Sequence, residues 1–460
     1  MASGERRMTR RALLGRAAAG AGALTLGPGL PAWAGSDEAP GSQGPLAPRE
    51  PHFPARAKRV IFIFHPGGVS HLETFDPKPA LERDHGQAYG NNRYLMRPRF
   101  AFAQHGESGA WVSEILPHLA ARVDDLAIVR SLRTDHGNHF EATLGMHTGS
   151  VNFTRPSIGS WISYGLGTLN PNLPSFVVLA PRLPYAGSQV WAADFLPACH
   201  QGVRIVPGDA PIPNLSRRAA TARAQELELE LLARMNRRHA AGRGDDPELL
   251  ARARSFATAH ALQREAPELF DLSGESDATL ELYGLERGAN RGFAWQCLMA
   301  RRLAERGVRF VELIDVGSSG NWDSHGNMDG HRKLARNVDH PIAGLLRDLQ
   351  GTGLFDETLV VWTTEFGRPP HVKQGEQGRG HHAHAFSSFL AGGGARRGVV
   401  HGETDEYGDR IVSGEVHLHD WHATILHLLG LDHERLTYPY SGREFRLTDV
   451  HGRVVPELLA

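Results

Sequence analysis

Histidine and carboxylate residues collect in a few short, glycine-flanked segments of this sequence. Asn321-Trp322-Asp323-Ser324-His325-Gly326 sets an aspartate and a histidine one residue apart. Gly378-Arg379-Gly380-His381-His382-Ala383-His384 offers three imidazoles within four residues, and Thr364-Glu365-Phe366-Gly367-Arg368 adds a glutamate and an arginine. Asp135-His136-Gly137-Asn138-His139-Phe140-Glu141 supplies two further histidines. Mixed imidazole and carboxylate ligands with an open position are what a catalytic divalent cation requires. Asp323, His325, Glu365, His381 and His382 are the expected ligands, for zinc, manganese or calcium. His136 or His139 is the candidate nucleophile, acid–base group or further ligand, because imidazole titrates near neutrality. Each piece alone has a plainer explanation: an Asp-x-His is often a surface loop, and a histidine triplet a solvated turn.

Such chemistry needs a scaffold that gathers distant segments. Arg59-Val60-Ile61-Phe62-Ile63-Phe64 is, after its arginine, a continuous apolar run that suits a strand buried on both faces. Leu126 to Val129, Ser175 to Leu179, Val308 to Ile314 and Thr358 to Thr363 repeat the pattern. Helical spacing covers Trp111 to Val123, Phe293 to Arg306 and Asp339 to Leu349. Strands alternating with helices predict an α/β fold, a doubly wound, mostly parallel sheet with helices on both faces. Ala219 to His239 and Pro247 to Glu265 are rich in helix formers and predict a helical insertion over about 210–290, a scaffold or lid.

In an open α/β sheet, ligands bind beyond the carboxyl ends of the strands. The histidine and carboxylate segments follow the second, fourth and fifth runs. His65-Pro66-Gly67-Gly68-Val69-Ser70 follows the first, and its glycines would let backbone N–H groups approach an anion. Gly67, Gly68, Ser70 and Arg368 are therefore expected to bind substrate, with His384 nearby.

The N-terminus carries Thr9-Arg10-Arg11-Ala12-Leu13-Leu14, a mildly apolar run to Leu30, and Ala32-Trp33-Ala34. A basic region, a short apolar region and a small-x-small end predict a secretory signal over residues 1–34, and the arginine pair points to the twin-arginine translocase. Glycines and Pro28 argue against a spanning helix, so no stable membrane span is expected after cleavage. Residues 35–55 read as a linker and 56–460 as the folded body, with a periplasmic or extracellular location. Fifty basic against 51 acidic residues leave no excess to attract nucleic acid. Two cysteines, Cys199 and Cys297, can pair but cannot build a disulfide framework.

These motifs resemble the DUF1501 family of exported bacterial proteins. The resemblance rests on Phe75-Asp76-Pro77-Lys78-Pro79, Arg130-Ser131, Trp322-Asp323-Ser324-His325 and Thr364-Glu365-Phe366-Gly367-Arg368. It continues through Gly402-Glu403-Thr404-Asp405 and Asp420-Trp421-His422-Ala423-Thr424-Ile425-Leu426. The family is similar to the alkaline phosphatase and sulfatase superfamily, which implies an alkaline-phosphatase-like fold and metal-assisted attack on phosphate or sulfate esters. Three positions depart from that pattern. His65 stands where the superfamily has a metal-binding aspartate, Phe366 stands at another ligand position, and His139 falls where sulfatases carry their modified cysteine. The resemblance thus implies a metal-dependent ester hydrolase acting on a small anionic ester or glycan. The competing expectation is a non-catalytic binding or envelope protein on the same fold.

Overall fold

The computed structural model describes residues 45–460 except 214, 216, 242, 244–246 and 317–320. The expected leader and the first ten residues of the expected linker lie outside the described residues. The rest of that linker lies along the body. Leu46 is buried, Arg49 N–H donates to Leu166 O, and His52 N–H donates to Gly430 O. No described helix is long and apolar enough to cross a membrane.

Twelve strands concern the site: β1 (Arg59–Phe64), β2 (Arg93–Leu95), β3 (Phe102–His105), β4 (Ala110–Ser113), β5 (Leu126–Arg133), β6 (Phe176–Leu179), β7 (Val203–Ile205), β8 (Phe310–Ile314), β9 (Thr358–Thr363), β10 (His371–Lys373), β11 (Phe386–Ala391) and β12 (Val399–His401). The helices of interest are α1 (His139–Thr148), α2 (Ile158–Leu166), α3 (Ala222–Ala240), α4 (Pro247–Phe270), α5 (Phe293–Glu305), α6 (Gly330–Gly351) and α7 (Leu418–Leu428).

A nine-stranded sheet runs β12-β5-β11-β9-β1-β8-β6-β7, with the two-residue strand Val416–His417 also pairing with β5. Strand side chains alternate between faces, and here both faces are covered. Ile61 and Ile63 enter one core with residues of α5 and α6, while Val60, Phe62 and Phe64 enter a second core with residues of α2 and α7. That double burial explains the continuous apolar runs. β1 is parallel to β8 and β9, β6 to β7 and β8, and β5 to β12. The expected mostly parallel sheet is present.

Two local differences have physical causes. β11 lies inside the sheet antiparallel to both β5 and β9, although Phe386-Ser387-Ser388-Phe389 carries two serines. Its Ser388 hydroxyl finds Thr363 Oγ1 at 2.8 Å, which makes a buried polar side chain tolerable. Trp111 to Val123 is not one helix. Its start is strand β4, paired with β3, and Pro117 confines helix to Pro117–Ala120. A proline opens a helix readily but breaks its interior.

Several family motifs are structural. Asp76 is fully buried, 3.0 Å from Lys78 Nζ and 3.7 Å from Arg130, and it accepts the Thr404 hydroxyl. One carboxylate so joins three motifs far apart in sequence. In α7, Asp420 caps the helix start, and His422 Nε2 donates to Met146 O at 2.7 Å, fixing α7 against α1.

Candidate metal centre

α1 begins at His139, just past the carboxyl end of β5. The His139 ring is clamped on one side: Nδ1 donates to Glu365 Oε1 at 2.6 Å, and that oxygen also accepts the Gly67 N–H at 2.8 Å. Glu365 Oε2 takes the Thr364 hydroxyl at 3.0 Å. Glu365 is fully buried after β9, and both its oxygens already accept hydrogen bonds, one of them from the His139 ring that it orients. His139 Nε2 is buried and has no hydrogen-bond partner in good geometry.

His381 is set the same way. Its Nδ1 lies 2.8 Å from the Gly137 carbonyl. A carbonyl can only accept, so Nδ1 carries the proton and Nε2 keeps its lone pair. His325 Nε2 lies 2.8 Å from His381 Nε2 and 3.0 Å from Asp323 Oδ1. Asp323 Oδ1 is also 3.3 Å from His139 Nε2 and 3.5 Å from His381 Nε2. One ligand atom each from His139, Asp323, His325 and His381 lies within 4.8 Å of the others. Imidazoles whose outer nitrogens are held by a carboxylate and a carbonyl, with lone pairs aimed inward, form the usual second shell of a metal site. The residues fit a divalent cation.

Burial pushes Asp323 up, but the surrounding His139 and His381 imidazoles and the Arg368 guanidinium override it and hold the carboxyl well below the usual carboxylate range. Burial pulls His139 down, and the neighbouring Asp323 and Glu365 carboxylates override that, so its pKa is raised. His325 is lowered, chiefly by burial, which keeps its lone pair available.

Arg368, also fully buried, does a different job from the one expected of it. Nε donates to Gly68 O at 2.9 Å, Nη1 to Arg379 O at 3.0 Å and Gly380 O at 3.1 Å, and Nη2 to Gly67 O and, at 2.7 Å, to Asp323 Oδ1. All five guanidinium N–H groups are taken, which leaves none for a substrate anion. The arginine instead ties the turn after β1 to the two loops that carry Asp323 and His381. Gly67 and Gly68 likewise serve close packing. At Gly67, with φ of +113°, a Cβ would lie 2.5 Å from the backbone nitrogens of Trp322 and Asp323. Ser70 is buried, and its N–H donates to His331 Nε2 at 3.2 Å.

The remaining expected residues lie elsewhere. His136 is half-buried and accepts the Asn138 N–H at 3.2 Å, outside the cluster. His382 points away: its Nε2 meets Asp409 O at 2.9 Å, while its backbone pairs with Gly367 in both directions. His384 stands edge-on to His382 in the wall of an open cleft of about 1100 Å³, onto which His325 and His381 also face. Phe366 does not ligate. Its ring packs 4.7 Å from both His139 and His381 and so fixes their orientation. His65 pairs at 2.8 Å with buried Asp315, which also takes the Trp322 indole N–H at 3.2 Å.

Tyr185 is a site residue that the motifs did not reveal. Its ring stacks on His139 at 4.2 Å with an interplanar angle of 8°, and its hydroxyl accepts from Asn321 Nδ2 at 2.6 Å. It follows β6, and the segment between them, Ala180 to Pro184, holds no histidine or carboxylate.

Residues 57–459 match the sequence model of DUF1501, described as a protein of unknown function. The chain belongs to the DUF1501 family. No curated protein matches it significantly in sequence. Among solved structures, this DUF1501 chain is similar to the PsFucS1 sulfatase from Pseudoalteromonas sp., at 12% identity over 88% of this chain and 72% of the other, TM-score 0.40. It is also similar to the lipoteichoic acid synthase LtaP from Listeria monocytogenes, at 11% identity over 86% and 76%, TM-score 0.38. A third is the C-terminal periplasmic domain of EcEptC from Escherichia coli in complex with zinc, at 12% identity over 84% and 87%, TM-score 0.34.

A second trio in this DUF1501 chain, Asp135, His417 and His419, also lies close together. It does not suit a cation. His417 caps α7 by accepting the His419 N–H at Nδ1, so its Nε2 carries the proton and donates to Asp135 at 2.8 Å. No lone pair is left on that nitrogen for a metal.

Proposed function

We propose that this protein is an exported, metal-dependent hydrolase of phosphate or sulfate esters. The supporting observation is the His139–Asp323–His325–His381 cluster, with a buried, unpartnered His139 Nε2, at the carboxyl ends of the strands and open to a large polar cleft. Those four residues would hold the cation. Three imidazoles and one carboxylate suit zinc or manganese better than calcium, which prefers six to eight oxygens. The cation would polarise the ester oxygens and lower the pKa of a water. Around it, Glu365 orients His139, Phe366 wedges His139 against His381, and Arg368 holds Asp323 in place. Arg10-Arg11 and the apolar run that follows them to Leu30 support the export reading.

The test is elemental analysis of untagged protein together with turnover of aryl phosphates and aryl sulfates. About one cation per chain and ester cleavage, both lost in Asp323→Ala, is the expected result. Less than about 0.2 metal per chain counts against the reading. One observation favours a binding protein instead: fully engaged Arg368 leaves no guanidinium at the cluster for the non-reacting ester oxygens. Stoichiometric metal without turnover across the ester panel would select that alternative.

A further inference from the structure

Beyond the cation cluster, the cleft wall carries an arrangement that folding alone does not favour. Strands β2 and β10 form an isolated antiparallel pair in which Arg93 lies directly opposite Lys373. Directly opposed side chains share a face, and like charges there are destabilising. Both residues line the cleft, and so does exposed Arg410. The wall also holds three carboxylates, each already engaged. Glu415 accepts from Arg133 at 2.8 Å, Asp409 from the Tyr89 hydroxyl at 2.9 Å, and Glu376 lies 3.9 Å from Lys373. Among the described residues neither Arg93 nor Arg410 has a carboxylate partner; Arg93 reaches only His371 Nε2, at 3.4 Å. Tyr89 and His371 pack beside them, tilted by 31° with ring centroids 5.7 Å apart.

We infer that Arg93, Lys373 and Arg410 form a second anion subsite, and that the ligand is an oligosaccharide carrying sulfate or phosphate on more than one residue. One anionic group would lie at the cation cluster, where His325 and His381 border the cleft. Another would neutralise the Arg93–Lys373 pair, with a sugar ring against Tyr89. A cleft of about 1100 Å³ exceeds what a small monoester fills. The inference builds on the proposed hydrolase only in taking the cluster as the first anion site.

Calorimetry with the full chain tests it, using a sulfated tetrasaccharide, a phosphorylated tetrasaccharide, a monosulfated monosaccharide and tripolyphosphate as probes. One or both tetrasaccharides should bind at least about tenfold more tightly than the monosaccharide, and the better of the two names the ester. Arg93→Gln and Arg410→Gln should each weaken that binding about three- to tenfold and leave the monosaccharide unchanged. Lys373→Gln should lower tetrasaccharide affinity without lowering Tm, because it removes the cross-strand repulsion from Arg93 and gives up only an exposed 3.9 Å pair with Glu376. A purely structural role for Lys373 would not separate those two effects. Equal affinity for monosaccharide and tetrasaccharides, or unaltered binding by the variants, overturns the subsite. Tripolyphosphate binding more tightly than either tetrasaccharide overturns its assignment to a glycan. Tetrasaccharide binding to the native chain that persists without ester cleavage defeats the hydrolase and leaves the subsite standing.

Discussion

Glu365 Oε1 accepts two hydrogen bonds, from His139 Nδ1 at 2.6 Å and from the Gly67 N–H at 2.8 Å. The imidazole that opens α1 is thereby anchored to the turn after β1, and its free nitrogen faces Asp323. Glu365→Gln keeps an oxygen for both donors but removes the charge that makes His139 a better ligand. Metal affinity should fall about 10- to 100-fold, read by chelator competition, while far-ultraviolet circular dichroism stays unchanged. Unaltered affinity would show that Glu365 does not support the cation.

Arg368 should prove a stability residue before it is anything else. Lysine offers three donors from one atom and cannot reach acceptors spread over four residues' carbonyls and Asp323. At least two buried acceptors lose their partners in Arg368→Lys, at about 1–3 kcal/mol each. Urea denaturation should show a loss of about 2–5 kcal/mol. A variant as stable as the native chain but impaired in ester binding would restore Arg368 to the role of anion ligand.

The fold was legible because strands buried on both faces leave an unmistakable record. The ends of β1 and β9 match the apolar runs residue for residue. β11 escaped because Ser387 and Ser388 dilute its pattern, and the Trp111 segment misled because β4 residues and a proline-started turn happen to carry helical spacing. Residue type and position after a strand pointed to Asp323, His325, His381 and His139, which the fold brings together. Residue type could not say which histidine of 381–384 turns inward, since that depends on the Gly367–His382 backbone pair, nor that Arg368 spends every donor on the chain itself. Tyr185 lacked a motif altogether, but the strand-end rule applied to β6 would have brought it into view.

The histidine triplet therefore divides sharply. His381 Nε2 points at Asp323, whereas His382 Nε2 is bound to Asp409 O. His381→Ala should abolish stoichiometric metal binding. His382→Ala should retain about one cation per chain, because its imidazole bond lies outside the cluster. Elemental analysis of the two variants separates them, and loss of metal from His382→Ala alone would overturn the assignment.

Asp339 carries a pH dependence independent of the cation. It lies in α6, nearly fully buried, and accepts the N–H groups of His118 and Leu119, each at 2.8 Å, at the start of the Pro117–Ala120 turn of helix. Burial outweighs those two bonds and pushes its pKa up to about 6, against about 3.9 in an unfolded chain. Between those values the folded state binds more protons than the unfolded state, so this group's contribution to stability falls as pH rises from about 4 to about 6. The fall amounts to about 2–3 kcal/mol, at 1.36 kcal/mol per unit. Asparagine at 339 cannot ionise, so Asp339→Asn should gain on the native chain by that amount between pH 4 and pH 7. Whatever its lost hydrogen bonding costs, that cost is the same at every pH and drops out of the difference. Chemical denaturation of both chains at four pH values measures it, and a pH-independent gap would mean that Asp339 titrates normally in the folded protein.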